Sequence, residues 1–259
     1  MQQKIALNAD LGESFGAWSM GADAEILPLV GSVNIACGFH AGDPLVMRRT
    51  LALAKKSEVS VGAHPAYPDL QGFGRRRMTI DASELEAIIL YQIGALVGLA
   101  RAEGISVTHV KPHGALSNMA CEDGKIAETV VRAVKAHGSD LILLAPALSP
   151  LATAGSAAGL PVIQEIFADR AYLDDGQLMP RSRPGAMIHD STDALSHVSA
   201  MLREGAIVCH SGKRLPTPIG SVCVHGDGPE AVEIARHLRE GLRDQGYRLT
   251  NLPDLFNRP

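Results

Sequence analysis

The sequence has little of several features that mark particular classes of protein. Aromatic residues make up only 4% of its 259 residues, and the formal net charge is −4. Nucleic-acid binding draws on aromatic stacking and on a basic surface, so we expect no nucleic-acid partner. No apolar run reaches the roughly 18 residues that a membrane-spanning helix needs, and we expect no membrane partner.

Paired cysteines and a leader segment are also missing. The four cysteines are scattered and form no CxxC motif. The opening MQQKIALNADLGES contains no basic segment followed by an apolar core, which is the pattern of a secretory signal. A chain of this length without a signal usually keeps its thiols reduced. We therefore predict a cytoplasmic protein.

Short apolar runs alternate with helical patterns along the whole chain. The clearest predicted helix covers residues 82–103, and another begins after Asp43, with Pro44 in its first turn. Further helices are predicted near residues 123–137, 192–204 and 229–244. The apolar runs are nearly continuous, which is typical of strands covered on both faces of a parallel sheet. Eight predicted strands cover residues 4–10, 32–40, 59–65, 105–114, 140–147, 161–170, 205–212 and 220–227.

Repeated strand–helix units imply parallel strands joined by right-handed crossovers. Seven or eight such units predict a closed or nearly closed α/β barrel, as one domain spanning residues 1–259. No Gly-rich dinucleotide fingerprint follows the first strand, which argues against a Rossmann fold.

Polar and titratable side chains gather where the predicted strands end. In parallel α/β folds the carboxyl ends of the strands meet at the ligand-binding face. Acids, imidazoles and an amine from several strands are therefore expected around one pocket. These candidates are Asp10, Glu13, His40, Asp43, His64, Lys111, His113, Asp169, Arg170, His225 and Asp227.

Individual candidates also have purely structural interpretations. Asp43 precedes Pro44 and suits a helix cap, a role that is compatible with ligand binding. A single buried histidine such as His40 or His64 is often only a hydrogen-bonded core residue. Lys111 and His113 lie two residues apart, on one face of a strand, which favours a functional role for both.

Two long loops carry arginines that suit a carboxylate or phosphate group. The first, DLQGFGRRRMTI at residues 69–80, places Arg75 and Arg76 where they could cover the barrel mouth, while Arg77 is interpreted as a solvated charge. The second, residues 167–186, carries Asp169 and Arg170 and could cover the same mouth.

Several of these segments resemble the LamB/YcsF family, in the same order and spacing, from about residue 4 to residue 243. One difference is Ser117, where the family commonly has tyrosine in KPHGALYN. The segments are NADLGESFGAW, NIACGFHAGDP, VGAHPAYPDLQGFGRRRM, VKPHGAL, FADRAYLDDG and CVHGD.

The resemblance implies a distorted barrel of about seven parallel strands, related to the glycoside hydrolase and deacetylase fold, so one late predicted strand should fall outside it. It also implies the A subunit of a 5-oxoprolinase, which opens the lactam 5-oxoproline to L-glutamate at the expense of ATP, together with subunits B and C. The sequence has no GxxxxGK[ST] phosphate loop. We therefore expect the partners to make an activated intermediate that this chain hydrolyses.

Within that scheme, Asp10 or His40 would be the general base and His113 the proton donor. Lys111 would stabilise developing negative charge. The substrate would contact Glu13, Asp43, Arg75, Arg76, Asp169, Arg170 and Asp227.

The related deacetylases suggest a different use of the same residues. Asp10, His40 and His64 could bind a divalent metal that polarises a carbonyl group. Two alternatives therefore stay open: a metal-dependent amide or sugar deacetylase that acts alone, and a non-catalytic subunit that binds a small acid and regulates its partners.

Overall fold

The computed structural model describes residues 2–225 and 230–256, with only the backbone of His225. Predicted site residue Asp227 and the side chain of His225 lie outside the described part. Strands β1 to β10 are Lys4–Leu11, Ser32–Ala36, Ser60–His64, Val107–Val110, Ile142–Pro146, Val162–Phe167, Ala206–Val208, Arg214–Pro216, Ser221–His225 and Arg248–Thr250. Helices α1 to α8 are Asp23–Ile26, Pro44–Lys56, Ala82–Ala102, Gly114–Glu122, Gly124–His137, Pro150–Ala157, Ser191–Glu204 and Ala231–Asp244.

Seven strands close into a parallel barrel in the order β1-β2-β3-β4-β5-β6-β9, because β9 pairs with both β6 and β1. The short strand β10 adds to the amino-terminal part of β1. This arrangement confirms the predicted seven-stranded α/β barrel.

The predicted strand at residues 205–212 is the one that does not enter the barrel. Its strand part, β7, is only three residues long and pairs antiparallel with β8 in a local hairpin. Gly212, at φ +88°, lies in the tight turn between the two strands. Closing so short a loop costs little chain entropy, so an apolar run can pair with its own continuation.

Helix α3 is the longest helix, and by length and apolar composition it could cross a membrane. In the fold it packs against α2 and α5, and Leu85, Ile89, Ile93 and Leu96 are buried in the core. This packing makes α3 one of the helices that surround the barrel. Location in the cytoplasm stays a prediction.

Barrel interiors are usually filled by branched apolar side chains. Here a small apolar cluster of Ala6, Ile142, Leu144, Ile163 and Leu252 fills one part of the interior, and the rest is polar. Outward-facing Ile5, Leu7 and Leu11 of β1 belong to the apolar core beneath the helices. Nine buried residues form a polar network inside the barrel: Asn8, Asp10, Asn34, His64, His109, Lys111, Glu165, Ser221 and Cys223.

Register explains how this interior is packed. Asp10, Asn34, Gly62 and His109 are aligned across β1 to β4. The His109 ring reaches Asn34 Oδ1 at 3.0 Å by passing over Gly62, where a β-carbon would lie 2.2 Å from the ring. Glycine is therefore required at position 62 for His109 to support the site from below.

Candidate active site at the barrel mouth

A buried lysine forms the centre of the site. Lys111 Nζ lies 3.0 Å from Asp10 Oδ1, 3.3 Å from Glu165 Oε2 and 3.0 Å from Cys223 Sγ. Burial alone lowers the pKa of Lys111, but Asp10, Cys223 and Glu165 together raise it well above its ordinary value. Lys111 is therefore a fixed cation in an interior of low dielectric.

Burial also changes the pKa values of Glu165 and Cys223, which contact Lys111. Burial raises the pKa of Glu165, against the opposing effect of Lys111. Burial also raises the pKa of Cys223 well above its ordinary value, so its sulfur stays a neutral thiol. Asn34 Nδ2 donates to Asp10 Oδ1 at 2.8 Å and holds that carboxylate beside the lysine.

Two histidines present bare nitrogens to each other. His64 Nδ1 lies 2.6 Å from the carbonyl oxygen of Lys111, and His113 Nε2 lies 2.9 Å from that of Phe73. A carbonyl oxygen only accepts, so both of these nitrogens carry the hydrogen. The remaining atoms, His64 Nε2 and His113 Nδ1, lie 3.0 Å apart. Two lone pairs that face each other at this distance repel, and a cation between them would remove that repulsion.

His40 and Glu13 complete this cluster. His40 Nε2 lies 3.2 Å from Glu13 Oε1, which lies 3.6 Å from His113 Nδ1. Burial lowers the pKa of both His40 and His113 well below the ordinary value, so both rings are neutral at pH 7. The rings of His40 and His113 are stacked, with centroids 3.8 Å apart, and Gly74 packs against both residues.

Four residues of the described chain form a candidate metal cluster: Glu13, His40, His64 and His113. It shares His40 and His64 with the predicted metal set. Asp10 is not in it: its carboxylate contacts Lys111 and Asn34, and its Oδ2 lies 3.4 Å from His64 Nε2. His113 and Glu13 take part because the loops after β4 and β1 fold over the same space.

A cavity of about 570 Å³ opens above these groups. Its wall continues over the loops after β4, β5 and β6. The predicted site residues that line it are Asp10, Glu13, His64, Arg75, Lys111, His113 and Arg170.

The structure does not bring every predicted residue to the cavity wall. His40 lies behind Glu13, and Asp169 is buried beside Arg170 without lining the cavity. Asp43 caps α2 by accepting from the backbone N–H groups of Leu45 and Val46, and it also accepts from Gly16 N. Arg76 pairs with Asp69 away from the cavity. Arg77, interpreted from the sequence as a solvated charge, is exposed but pairs with Glu122 at 2.8 Å and lines the cavity.

Sequence reasoning did not select Glu165, Asn34 or His109. Each lies within a short strand whose outward-facing Val or Ile residues belong to the apolar core, so the strand pattern concealed it. The available signal was a polar residue at an interior position of a buried strand, since such a side chain needs a buried partner.

The fold and the site define an α/β barrel protein with a lysine–carboxylate–imidazole site at its mouth. The family model described as "LamB/YcsF family" matches residues 5–257, and this chain belongs to that family. The chain is 61% identical over 252 residues to the 5-oxoprolinase A subunit of Azoarcus sp. (strain BH72), covering 97% of this chain and 98% of that protein. It is 54% identical over 246 residues to the second 5-oxoprolinase A subunit of Bradyrhizobium diazoefficiens, covering 95% and 96%.

Solved structures agree with this assignment. The lactam utilization protein from Thermus thermophilus superposes with a TM-score of 0.91 at 44% identity, covering 96% of this chain and 100% of that chain. The catalytic domain of a peptidoglycan N-acetylglucosamine deacetylase from Eubacterium rectale reaches a TM-score of 0.53 at 11% identity, covering 97% and 89%. The second likeness shows that the barrel fold is shared with deacetylases.

Proposed function

We propose that this chain provides the lactam-opening site of a 5-oxoprolinase, which converts 5-oxoproline to L-glutamate with ATP and partner subunits B and C. The observation that carries the proposal is the Lys111–Asp10 pair beside His64 and His113 on one cavity wall. The names of the relatives at 61% and 54% identity supply the substrate and the subunit designation.

The chemistry explains why ATP is needed. Amide resonance makes the ring carbonyl of a lactam a poor electrophile, and a phosphoryl group on its oxygen removes that resonance. Water then adds to the ring carbon, the C–N bond breaks as the nitrogen takes a proton, and an acyl phosphate remains. A second water releases phosphate and leaves glutamate. Because the sequence lacks a phosphate loop, we assign the phosphorylation to the partners and the ring opening to this chain.

The side chains divide this work by position. Lys111 stabilises the negative charge that develops on the oxygen added from water, since a fixed cation needs no reorganisation. Where no metal occupies the cluster, Glu13 and His113, whose Oε1 and Nδ1 atoms lie 3.6 Å apart at the cavity wall, transfer the protons to and from water and the ring nitrogen. His40 positions Glu13, and Asp10 positions Lys111.

A divalent metal fits part of this site. Ligand atoms about 2.0–2.1 Å from a tetrahedral zinc ion lie about 3.3 Å from one another. The separations of 3.0 Å between His64 Nε2 and His113 Nδ1, and of 3.6 Å between His113 Nδ1 and Glu13 Oε1, agree with that spacing. The outer nitrogens of both rings donate to backbone carbonyls, as those of metal-bound histidines do.

Glu13, His64 and His113 would therefore hold the metal. His40, the fourth member of the cluster, is stacked on His113, and its Nε2 lies 3.2 Å from Glu13 Oε1, so it would hold Glu13 in place beside a metal. When bound, a metal polarises a carbonyl oxygen and acidifies water. Metal analysis of the purified chain, before and after chelation, decides between a metal and a proton between the two rings. A chain that is metal-free and fully active identifies the cation as a proton.

The function is tested by combining the purified chain with its B and C partners and measuring glutamate formed from 5-oxoproline with and without ATP. We expect ATP-dependent glutamate only with all three subunits, and a loss on the order of 10²-fold in Asp10→Asn. ATP-independent hydrolysis of an N-acetyl sugar by the chain alone would instead assign it as a deacetylase. Binding of 5-oxoproline with turnover unaffected by Asp10→Asn would assign a regulatory role.

A further inference from the structure

One arginine at the barrel mouth is buried with part of its guanidinium unsatisfied. Arg170 follows β6, is 7% exposed and lines the cavity. Its Nη2 donates to the carbonyl oxygen of Met179 at 2.7 Å, while its buried Nε has no hydrogen-bond partner among the described residues. An unpaired buried donor is costly, and a charged one more so, so this group is preorganised for an acceptor that the described part of the chain does not supply.

Further cations surround Arg170. Burial lowers its pKa to about 10, and the charges of Arg181 and Arg75 act in the same direction, while Asp169 opposes them. Arg75 and Arg181 line the same cavity. Three guanidinium groups along one wall give this part of the cavity a positive potential, which favours a bound anion.

Two other arginines near the barrel mouth each form an ion pair with a carboxylate, which supports a different role for Arg170. Arg76 is neutralised by Asp69, and Arg77 by Glu122. A cationic loop that only needed solubility or stability would pair Arg170 in the same manner.

The geometry points to an oxyanion subsite at Arg170, flanked by Arg75 and Arg181, which holds a carboxylate or phosphoryl group of the ligand while its reacting carbon faces Lys111. The inference deepens the proposed function, on which it rests for the identity of the lactam. It restricts the substrate class to lactams that carry an acidic group. Arg75 lies close to both the arginine subsite and the histidine cluster, because it lines the cavity and its charge also lowers the pKa of His40.

Binding to the purified full-length chain tests this subsite directly. Titration calorimetry would compare L-5-oxoproline, 2-pyrrolidinone, which lacks the carboxylate, and inorganic phosphate. We expect Arg170→Met to weaken binding of the anionic probe by about tenfold to a hundredfold, as for loss of a charge-assisted hydrogen bond, with 2-pyrrolidinone unaffected. Arg183→Met is the matched control, because Arg183 is exposed on the same loop and does not line the cavity.

The probes distinguish the source of the oxyanion. Arg170-dependent binding of 5-oxoproline identifies the carboxylate, and Arg170-dependent binding of phosphate alone identifies the phosphoryl group. Equal affinities of the wild type and Arg170→Met for both anions, or no binding of either anion by the wild type, would overturn the subsite. Because Arg170 is buried, Arg181→Met at an exposed position provides a second variant, for which we expect a weaker loss of the same kind.

Failure of the subsite and failure of the proposed function give different results. Arg170-dependent anion binding without ATP-dependent glutamate formation by the three combined subunits refutes the function and keeps the subsite. Glutamate formation in which Arg170→Met changes neither KM nor anion affinity refutes the subsite and keeps the function.

Discussion

Replacing Lys111 with methionine tests whether the barrel interior depends on this one cation. At an effective dielectric of about 20, each contact of Lys111 Nζ, at 3.0 Å to Asp10 and 3.3 Å to Glu165, corresponds to about 5 kcal/mol of attraction. Desolvation offsets part of this attraction, and removing one partner of a buried ion pair typically costs about 3–5 kcal/mol. We therefore expect Lys111→Met to lower the free energy of unfolding by about 3–5 kcal/mol.

Urea unfolding at pH 7 measures this loss. With a slope of about 3 kcal/mol/M, the midpoint should fall by about 1–1.7 M. The matched control is Lys125→Met on the exposed side of α5, which should stay within about 0.5 kcal/mol of the wild type. The double variant Lys111→Met/Glu165→Gln should recover part of the loss, because it removes one of the two uncompensated carboxylates.

The pH dependence gives an independent check. Burial raises the pKa of Glu165 above 4.5 even with Lys111 present, and removing the lysine raises it further. The folded chain then binds this proton more tightly than the unfolded chain, so stability falls as the pH rises above about 4.5. The deficit of Lys111→Met should therefore be largest near pH 8 and shrink toward pH 5. A loss below about 1 kcal/mol, or one independent of pH, would refute this reasoning.

Further expected outcomes concern packing, capping and the cavity. Gly62→Ala would place a β-carbon 2.2 Å from the His109 ring and should lower the free energy of unfolding in urea by about 1–3 kcal/mol. In the control Gly94→Ala, the new β-carbon has no atom within 4 Å apart from nearby backbone of its own helix, so this variant should not be destabilised. Equal effects of the two substitutions would contradict the packing argument. Asp43→Ala removes the cap of α2 and should lower the stability measured by thermal unfolding by about 1 kcal/mol. Asp43→Asn keeps a capping oxygen and should therefore retain most of the stability of the wild type. Identical losses in the two variants would exclude capping. Ser117→Tyr adds a ring to the cavity wall and should raise KM more than it lowers kcat when glutamate formation is measured with all three subunits. An unchanged KM would show that Ser117 does not contact the ligand.

The sequence predicted the fold because its signals are local. Alternating apolar runs and helical stripes place the seven barrel strands and α2, α3, α5, α7 and α8 close to their observed positions. The hairpin of β7 and β8 was not predicted, since an apolar run does not reveal whether it pairs across a barrel or with its own continuation. The short helices α4 and α6 were also missed, because eight or nine residues give too little periodicity.

For the site, the sequence by itself determined which residue types end the strands, since parallel strands bring their carboxyl ends to one face. Asp10, Glu13, His64, Lys111 and His113 meet at the cavity as that rule predicts. Only the tertiary structure decided which groups are partners. It places Glu165 beside Lys111, and it makes nitrogens of His64 and His113 face each other. It also leaves Arg170 Nε without a hydrogen-bond partner among the described residues, whereas Arg76 pairs with Asp69. Pairing of this kind depends on strand register and on loop paths to within about 1 Å. The distance between two side chains that are far apart in the chain cannot be predicted from the local sequence around either of them.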